Sequence, residues 1–287
     1  MTVCLNIDPL NEWLPGGEFP CVIAGPCSAE SEEQVMETAR ELAAIPEVRV
    51  FRSGIWKPRT RPGAFEGVGT KGLKWLNQVK TETGLKTTVE VANPKHVAEA
   101  LKYGIDILWI GARTVVNPFS VQEIGEALKG VDIPVMIKNP LNPDLKTWLG
   151  AIERMNQVGI TKLIAVHRGF SFFQNTPYRN APMWEIPIEL KRLCPALPVI
   201  VDPSHICGET TMLRQTVQKA LDLEMNGLMI EAHVRPHEAL TDKKQQITPA
   251  GLKQLLSELV LRKESGETEF QNLLEKLRTE IDKLDQE

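Results

Sequence analysis

Residues 50–60 read VFRSGIWKPRT, an apolar run that leads straight into Arg52, Lys57 and Arg59 and leaves through Pro58, with Pro62 just beyond. The apolar part predicts a buried strand, and the prolines predict that the chain turns away from it. Cations crowded where a buried strand opens into a loop repel one another, so they are best tolerated with anions between them. Small phosphates and carboxylates are the natural anions. A solvated basic loop is the plainer alternative, and the decision rests on what the rest of the chain brings to the same place.

Outward from this stretch the same pattern recurs. Short apolar runs predict strands at 21–24, 48–52, 87–91, 107–110, 135–138, 163–166, 199–201 and 228–230. Between them lie stretches with helical spacing at 32–42, 71–83, 94–103, 120–128, 144–158, 182–193, 210–223 and 249–261. Strands apolar on both faces, each followed by an amphipathic helix, predict a parallel sheet covered by helices. Eight such units predict an α/β chain with one closed (β/α)8 TIM barrel over 21–262; a doubly wound open sheet is the second choice. Residues 1–20 carry Pro9, Pro15, Gly16, Gly17 and Pro20 and predict an irregular leader lying on the main body.

Composition narrows the function. A net charge of −4 gives no general attraction for nucleic acid or membrane surfaces. No apolar run approaches the roughly 20 residues needed to cross a bilayer, and no basic-then-apolar leader opens the chain, so a cytoplasmic protein is expected. The five cysteines, Cys4, Cys21, Cys27, Cys194 and Cys207, show no paired spacing, so any special cysteine acts singly.

In such a barrel the chemistry gathers at the carboxyl ends of the strands. The reactive or charged residues at and just past the ends of the apolar runs are, in order, Cys27; then Arg52, Lys57 and Arg59; Glu90; Arg113; Lys138; His167 and Arg168; Asp202 and His205; Glu231 and His233. Six of these are cations, and barrel closure would bring them into one cavity suited to a polyanionic ligand. A second set, Cys27, His205, Glu231 and Asp242, mixes a thiol, an imidazole and carboxylates. That mixture suits a divalent ion of intermediate softness, Mn²⁺, Fe²⁺, Co²⁺ or Zn²⁺, better than Mg²⁺ or Ca²⁺. Glu231 and His233 stand two apart on a strand and should face the same way, so either could be the ligand. A lone buried cysteine acting as a small hydrophobe is the competing reading.

Taken together, GPCS at 25–28, KPRT at 57–60, IGAR at 110–113, the lysine of MIKNP, HRG at 167–169, DPSH at 202–205, EAH at 231–233 and the aspartate of ALTDKKQ resemble 3-deoxy-D-arabino-heptulosonate 7-phosphate (DAHP) synthases. The resemblance covers about residues 20–262 and is to the short bacterial branch, which also includes 3-deoxy-manno-octulosonate 8-phosphate synthases. KPRT separates the two, because the octulosonate enzymes carry an Asn- and Ser-rich sequence there. The resemblance implies the first step of the shikimate pathway to chorismate and the aromatic amino acids: condensation of phosphoenolpyruvate with erythrose 4-phosphate, with a divalent metal and release of phosphate. It implies Cys27, His205, Glu231 and Asp242 as metal ligands, and Arg52, Lys57, Arg113, Lys138 and Arg168 as the hold on phosphoenolpyruvate. Arg59 and Thr60 would hold the aldose phosphate. Lys57 is the candidate for proton transfer near the aldehyde, with Cys27 and His205 beside it in the catalytic set. His167 departs from the pattern, since some relatives have a glutamate there. A homo-oligomer, dimer or tetramer, is expected, with no nucleic-acid or membrane partner. A non-catalytic sugar-phosphate sensor on the same barrel is the alternative from another class.

After the barrel, 263–268 predict a linker, and Phe270, Leu273, Leu274, Leu277, Ile281 and Leu284 form an apolar stripe at helical spacing over 269–287. LLEKLRTEIDKLDQE at 273–287 resembles the opening of the first helix of a helical chorismate mutase, with Arg278 where that family has an active-site arginine. This implies the truncated start of a fused mutase domain, without mutase activity in the present chain. A helix packed on the barrel or on another subunit is the alternative.

Overall fold

A computed structural model describes residues 3–14, 20–57 and 63–261. Among them, eight parallel strands close into a barrel in sequence order, each neighbour hydrogen-bonded to the next and β1 paired with β8. The strands are β1 Cys21–Gly25, β2 Val48–Arg52, β3 Lys86–Val91, β4 Ile107–Ile110, β5 Val135–Lys138, β6 Leu163–His167, β7 Val199–Val201 and β8 Gly227–Glu231. The helices between and after them are α1 Glu32–Ala43, α2 Lys71–Thr83, α3 Pro94–Lys102, α4 Pro118–Leu128, α5 Leu145–Gln157, α6 Glu185–Leu193, α7 Leu213–Asp222 and α8 Pro249–Ser257.

The strands are almost wholly buried because each has two covered faces. Inward-pointing Ile23, Val50, Trp109, Met136, Val166 and Met229 fill the barrel, while alternate residues such as Val22, Phe51 and Leu108 pack against the helices. That alternation inside continuous apolar runs aims the next inward residues, Arg52, Lys138 and Glu231, into the mouth above the filled interior.

Helix starts obey their caps. Ser31, Asn93, Asp144 and Thr248 each accept a backbone N–H of their own helix's first turn, and Pro94 and Pro249 stand at first positions where no donor is lost. Helix α4 starts at Pro118, earlier than the periodicity predicts, because the Asn117 side chain accepts from Phe119 and Ser120. Helix α6 starts at Glu185, later than predicted, after Met183 takes a positive φ of 37°. Helix α8 stops at Ser257, short of the predicted Leu261.

The leader is less irregular than its prolines and glycines suggest. It holds a short helix, Leu10–Trp13, and Leu14 is buried in the barrel interior cluster with Leu10 and Trp13 beside it. Backbone bonds from Val3 to Leu193 and from Asp8 to Thr161 tie it to the amino-terminal face. No helix of the described residues is long and apolar enough to cross a membrane. The predicted linker and tail helix at 263–287 lie outside the described residues, as do Arg59 and Thr60.

Candidate active site

Cys27 is placed by two glycines. Gly25 sits at φ +150°, and a Cβ there would lie 2.1 Å from the Arg52 carbonyl oxygen, so only glycine lets the ends of β1 and β2 pass. Beyond the strands, Gly54 N donates to the Cys27 carbonyl at 3.1 Å. A Cβ on Gly54 would meet the Lys57 Cε at 2.7 Å, so glycine here lets Lys57 reach across to Cys27. Lys57 Nζ donates to the Cys27 carbonyl and lies 3.0 Å from Cys27 Sγ.

The thiol is buried and donates to Asp242 Oδ2 at 3.3 Å. Ligating atoms of Cys27, Glu231 and Asp242 all lie within 4.8 Å of one another. His205, the fourth predicted donor, stands beside this triple without joining it: its Nε2 is 3.8 Å from Glu231 Oε1. The local sequence explains its pose. Asp202 caps the short helix Pro203–Cys207, accepts from His205 N at 3.0 Å, and approaches His205 Nδ1 at 2.8 Å, which leaves Nε2 aimed at Glu231.

His233 does not share the site. Strand β8 ends at Glu231, Ala232 bridges to Ile247, and His233 turns so that its Nδ1 accepts from Arg235 N. The two-residue alternation fails because the strand ends between them, which leaves Glu231 as the inward donor.

The electrostatics suit an ion. Burial, with Glu231 beside it, pushes the Cys27 thiol up to about 12. Burial would also raise Glu231, but His205, Arg52 and Lys57 outweigh it and hold its carboxyl below the usual range. At Asp242 burial loses to Arg179, His205 and the Cys27 hydrogen bond, which bring it to about 2. Burial pulls the His205 pKa down against the pull of Asp202 and Glu231, which favours an imidazole that can ligate. Glu231 Oε1 is buried and has no hydrogen-bond partner among the described residues, and a cation would satisfy it. A soft thiol, hard carboxylates and an adjacent neutral imidazole therefore fit a divalent transition-metal ion.

The predicted cations that fall among the described residues line the same mouth. Arg52, Lys138 and Arg168 are 1%, 5% and 7% exposed. Arg52 NH1 lies 3.3 Å from Glu231 Oε1, yet neither its Nε nor its NH1 has a hydrogen-bond partner among the described residues. Lys138 pairs with Asp202 at 2.8 Å. At Asp202 burial is outweighed by His205 and Lys138, which hold the carboxyl well below its ordinary value. Arg168 donates to Asn180 Oδ1 at 2.7 Å, and its backbone N to Asn139 Oδ1. Burial brings Arg168 down to about 10; Arg179 and Arg113 add to this against Asp202. Arg113 is exposed on the short helix Ala112–Val115.

The DAHP synthetase I family profile matches residues 6–266. The chain belongs to the DAHP synthetase I family. It is 32% identical to the phospho-2-dehydro-3-deoxyheptonate aldolase of Thermotoga maritima over 85% of this chain and 70% of that protein. A crystal structure of the Thermotoga maritima DAHP synthase superposes with a TM-score of 0.75 at 31% identity, covering 83% of this chain and 67% of that one. A truncated form of the same synthase gives 0.72 at 29% identity, covering 83% and 84%. The 2-dehydro-3-deoxyphosphooctonate aldolase of Wolinella succinogenes is 28% identical over 83% of this chain and 97% of that protein.

In this member of the DAHP synthetase I family, several residues of the site are absent from the sequence reading. Trp109 floors it, with the Arg52 guanidinium 5.1 Å and the Lys138 ammonium 5.9 Å from the ring centre. Its position at the carboxyl end of β4 was a signal, but an apolar run hides it. Gln245 donates to Glu231 Oε2 at 2.6 Å, and Gln246 accepts from Cys27 N at 2.9 Å. Arg179 donates to Asp242 Oδ1 at 2.9 Å. These come from loops, where no periodicity marks an inward residue.

Proposed function

We propose that this chain is a DAHP synthase. It joins carbon 3 of phosphoenolpyruvate to the aldehyde carbon of erythrose 4-phosphate, water adds at carbon 2, and phosphate leaves by carbon–oxygen cleavage. The observation that carries this reading is the meeting of two sets in one barrel mouth: the donors Cys27, Glu231 and Asp242, and the buried cations Arg52, Lys138 and Arg168.

Arg52, Lys138 and Arg168, with exposed Arg113 at the rim, hold the carboxylate and phosphate of phosphoenolpyruvate. Arg52 Nε supports this: it is buried and has no acceptor among the described residues, which is costly until an anion arrives. Preformed cations of this kind stabilise charge as it develops without reorganising. Lys57 lies on the border of the two sets, its ammonium on Cys27 Sγ, and is the residue placed to hold or move a proton at the aldehyde oxygen. Arg59 and Thr60 would hold the aldose phosphate.

Cys27, Glu231 and Asp242, with His205 from the side, would hold a divalent ion of the Mn²⁺, Fe²⁺, Co²⁺ or Zn²⁺ class. When bound, such an ion supplies Lewis acidity toward the aldose carbonyl. Asp202 contributes by holding the His205 tautomer that leaves Nε2 available, a support that metal-ligating histidines commonly have.

The test is phosphate release from phosphoenolpyruvate with each aldose in turn. Release with erythrose 4-phosphate and little with arabinose 5-phosphate is expected. The reverse preference would make the chain an octulosonate synthase, and binding of both sugars without release would make it a sensor.

A further inference from the structure

The chain between β6 and α6 leaves the barrel at Gly169 and is closed off by a reciprocal backbone pair, Phe170 with Ala181, 2.8 Å each way. The last two residues inside that closure are Arg179 and Asn180. Both are tied by backbone to the turn after β7, Arg179 N to Cys207 O at 3.3 Å and Asn180 N to Ile206 O at 3.1 Å. The turn approaches so closely that a Cβ on Gly208 would lie 2.5 Å from the Arg179 Cβ.

From this anchored dipeptide the two side chains go to different parts of the site. Asn180, 6% exposed, accepts from Arg168 NH1 at 2.7 Å and donates from Nδ2 to the His205 carbonyl at 2.7 Å. Arg179 NH1 donates to Asp242 Oδ1 at 2.9 Å and to Gln245 Oε1 at 2.6 Å. Gln245 is buried and passes the constraint on, its Nε2 donating to Glu231 Oε2. Its amide cannot turn over, because that would set N–H groups against the guanidinium and oxygen against a carboxylate. One arginine therefore orients two candidate metal ligands, leaving Asp242 Oδ2 toward Cys27 and Glu231 Oε1 without a hydrogen bond among the described residues.

We propose that Arg179 and Asn180 are a pair of positioning residues: Arg179 sets Asp242 and, through Gln245, Glu231 for the metal ion, and Asn180 sets Arg168 for the anion. The proposal rests on the assignment of a metal set and an anion set to this mouth. An opposing effect exists, since the Arg179 charge repels a dication. The Arg179 side chain is 46% exposed, so solvent screens that repulsion to about fivefold or less in affinity. Orienting partners of ligands are worth about 10–100-fold, so positioning wins.

The test uses the full chain and Mn²⁺ alone, followed by calorimetry, and phosphoenolpyruvate binding to the metal-free protein. Arg179→Ala is expected to weaken Mn²⁺ binding about tenfold or more while phosphoenolpyruvate binding stays within about twofold. Asn180→Ala is expected to do the opposite. Arg179→Lys, which keeps the charge and one donor, and Asn180→Asp, which keeps the acceptor for Arg168, should each recover part of the loss; these milder variants carry the comparison if an alanine variant fails to fold. Mn²⁺ binding by a folded Arg179→Ala or Arg179→Lys that equals or exceeds wild type overturns the assignment of Arg179. Unchanged phosphoenolpyruvate binding by a folded Asn180→Ala or a more weakened Asn180→Asp overturns that of Asn180. A wild-type chain that takes up no Mn²⁺ at all contradicts the metal site itself, and the brace with it.

Discussion

Lys138 and Arg113 separate the two ways in which a cation can serve this site. Lys138 is buried and already paired with Asp202, so Lys138→Ala removes a hold on the substrate and also strands a buried carboxylate. Its loss should cost about 2–5 kcal/mol in kcat/KM for phosphoenolpyruvate. Arg113 is exposed, and Arg113→Ala should cost less, on the order of 1 kcal/mol, because solvent screens its contribution. Steady-state kinetics on both variants check the order. Equal losses, or losses confined to the KM for erythrose 4-phosphate, would show that the anion sites are exchanged. The direction of Arg52, Lys138 and Glu231 was legible in the sequence because inward residues at strand ends inherit the direction of the strand, whereas Arg113 stands on a short helix after β4. The expectation that His233 faces the same way as Glu231 failed for the complementary reason: past Glu231 there is no strand to inherit from.

His167 ends β6, and helix α5, the loop after β6 and the start of α6 enclose its ring. Its ring lies 6.4 Å from Trp148, 5.7 Å from Phe170 and 5.2 Å from Trp184. Burial pushes its pKa from 6.5 down to about 3, against the Pro182 backbone. Because the folded pKa is depressed, the unfolded chain takes a proton that the folded chain refuses. Its contribution is steady above about pH 6.5 and erodes by about 1.4 kcal/mol per unit as pH falls toward 3. Urea midpoints should show wild type losing about 1.6 kcal/mol more than His167→Phe between pH 6.5 and 5. Parallel losses would contradict the neutral buried imidazole. At this scale the sequence was a good guide to strands, since a parallel sheet buried on both faces leaves unbroken apolar runs. Helix ends were harder, because a cap such as Asn117 or a positive φ such as that of Met183 decides them locally against the periodicity.

For the whole molecule, the eight strands close in sequence order within the described residues. Helix α8 packs on α1, and Val260 exchanges hydrogen bonds with Gln218 of α7. A chain ending at Lys263 should therefore keep a cooperative melting transition and its synthase activity. Collapse of that chain would give residues 264–287 a part in the fold. Chorismate turnover by the present chain is expected to be absent, and finding it would show the tail to be a working element. The loops carry what no pattern announced: Arg179, Gln245 and Gln246 reach the donors, and Asn180 reaches Arg168, only because the barrel brings loops distant in sequence into one mouth. Condensation is proposed to depend on an ion held by the Cys27, Glu231 and Asp242 cluster. The most direct measurement is DAHP formation by chelator-treated protein before and after Mn²⁺ is restored, in wild type and in Cys27→Ser, with metal content read alongside. Wild type should lose activity with the metal and regain both, whereas folded Cys27→Ser should retain neither, because a serine hydroxyl is a far weaker ligand. Full activity after chelation, or a folded Cys27→Ser with near-normal metal and turnover, would contradict it.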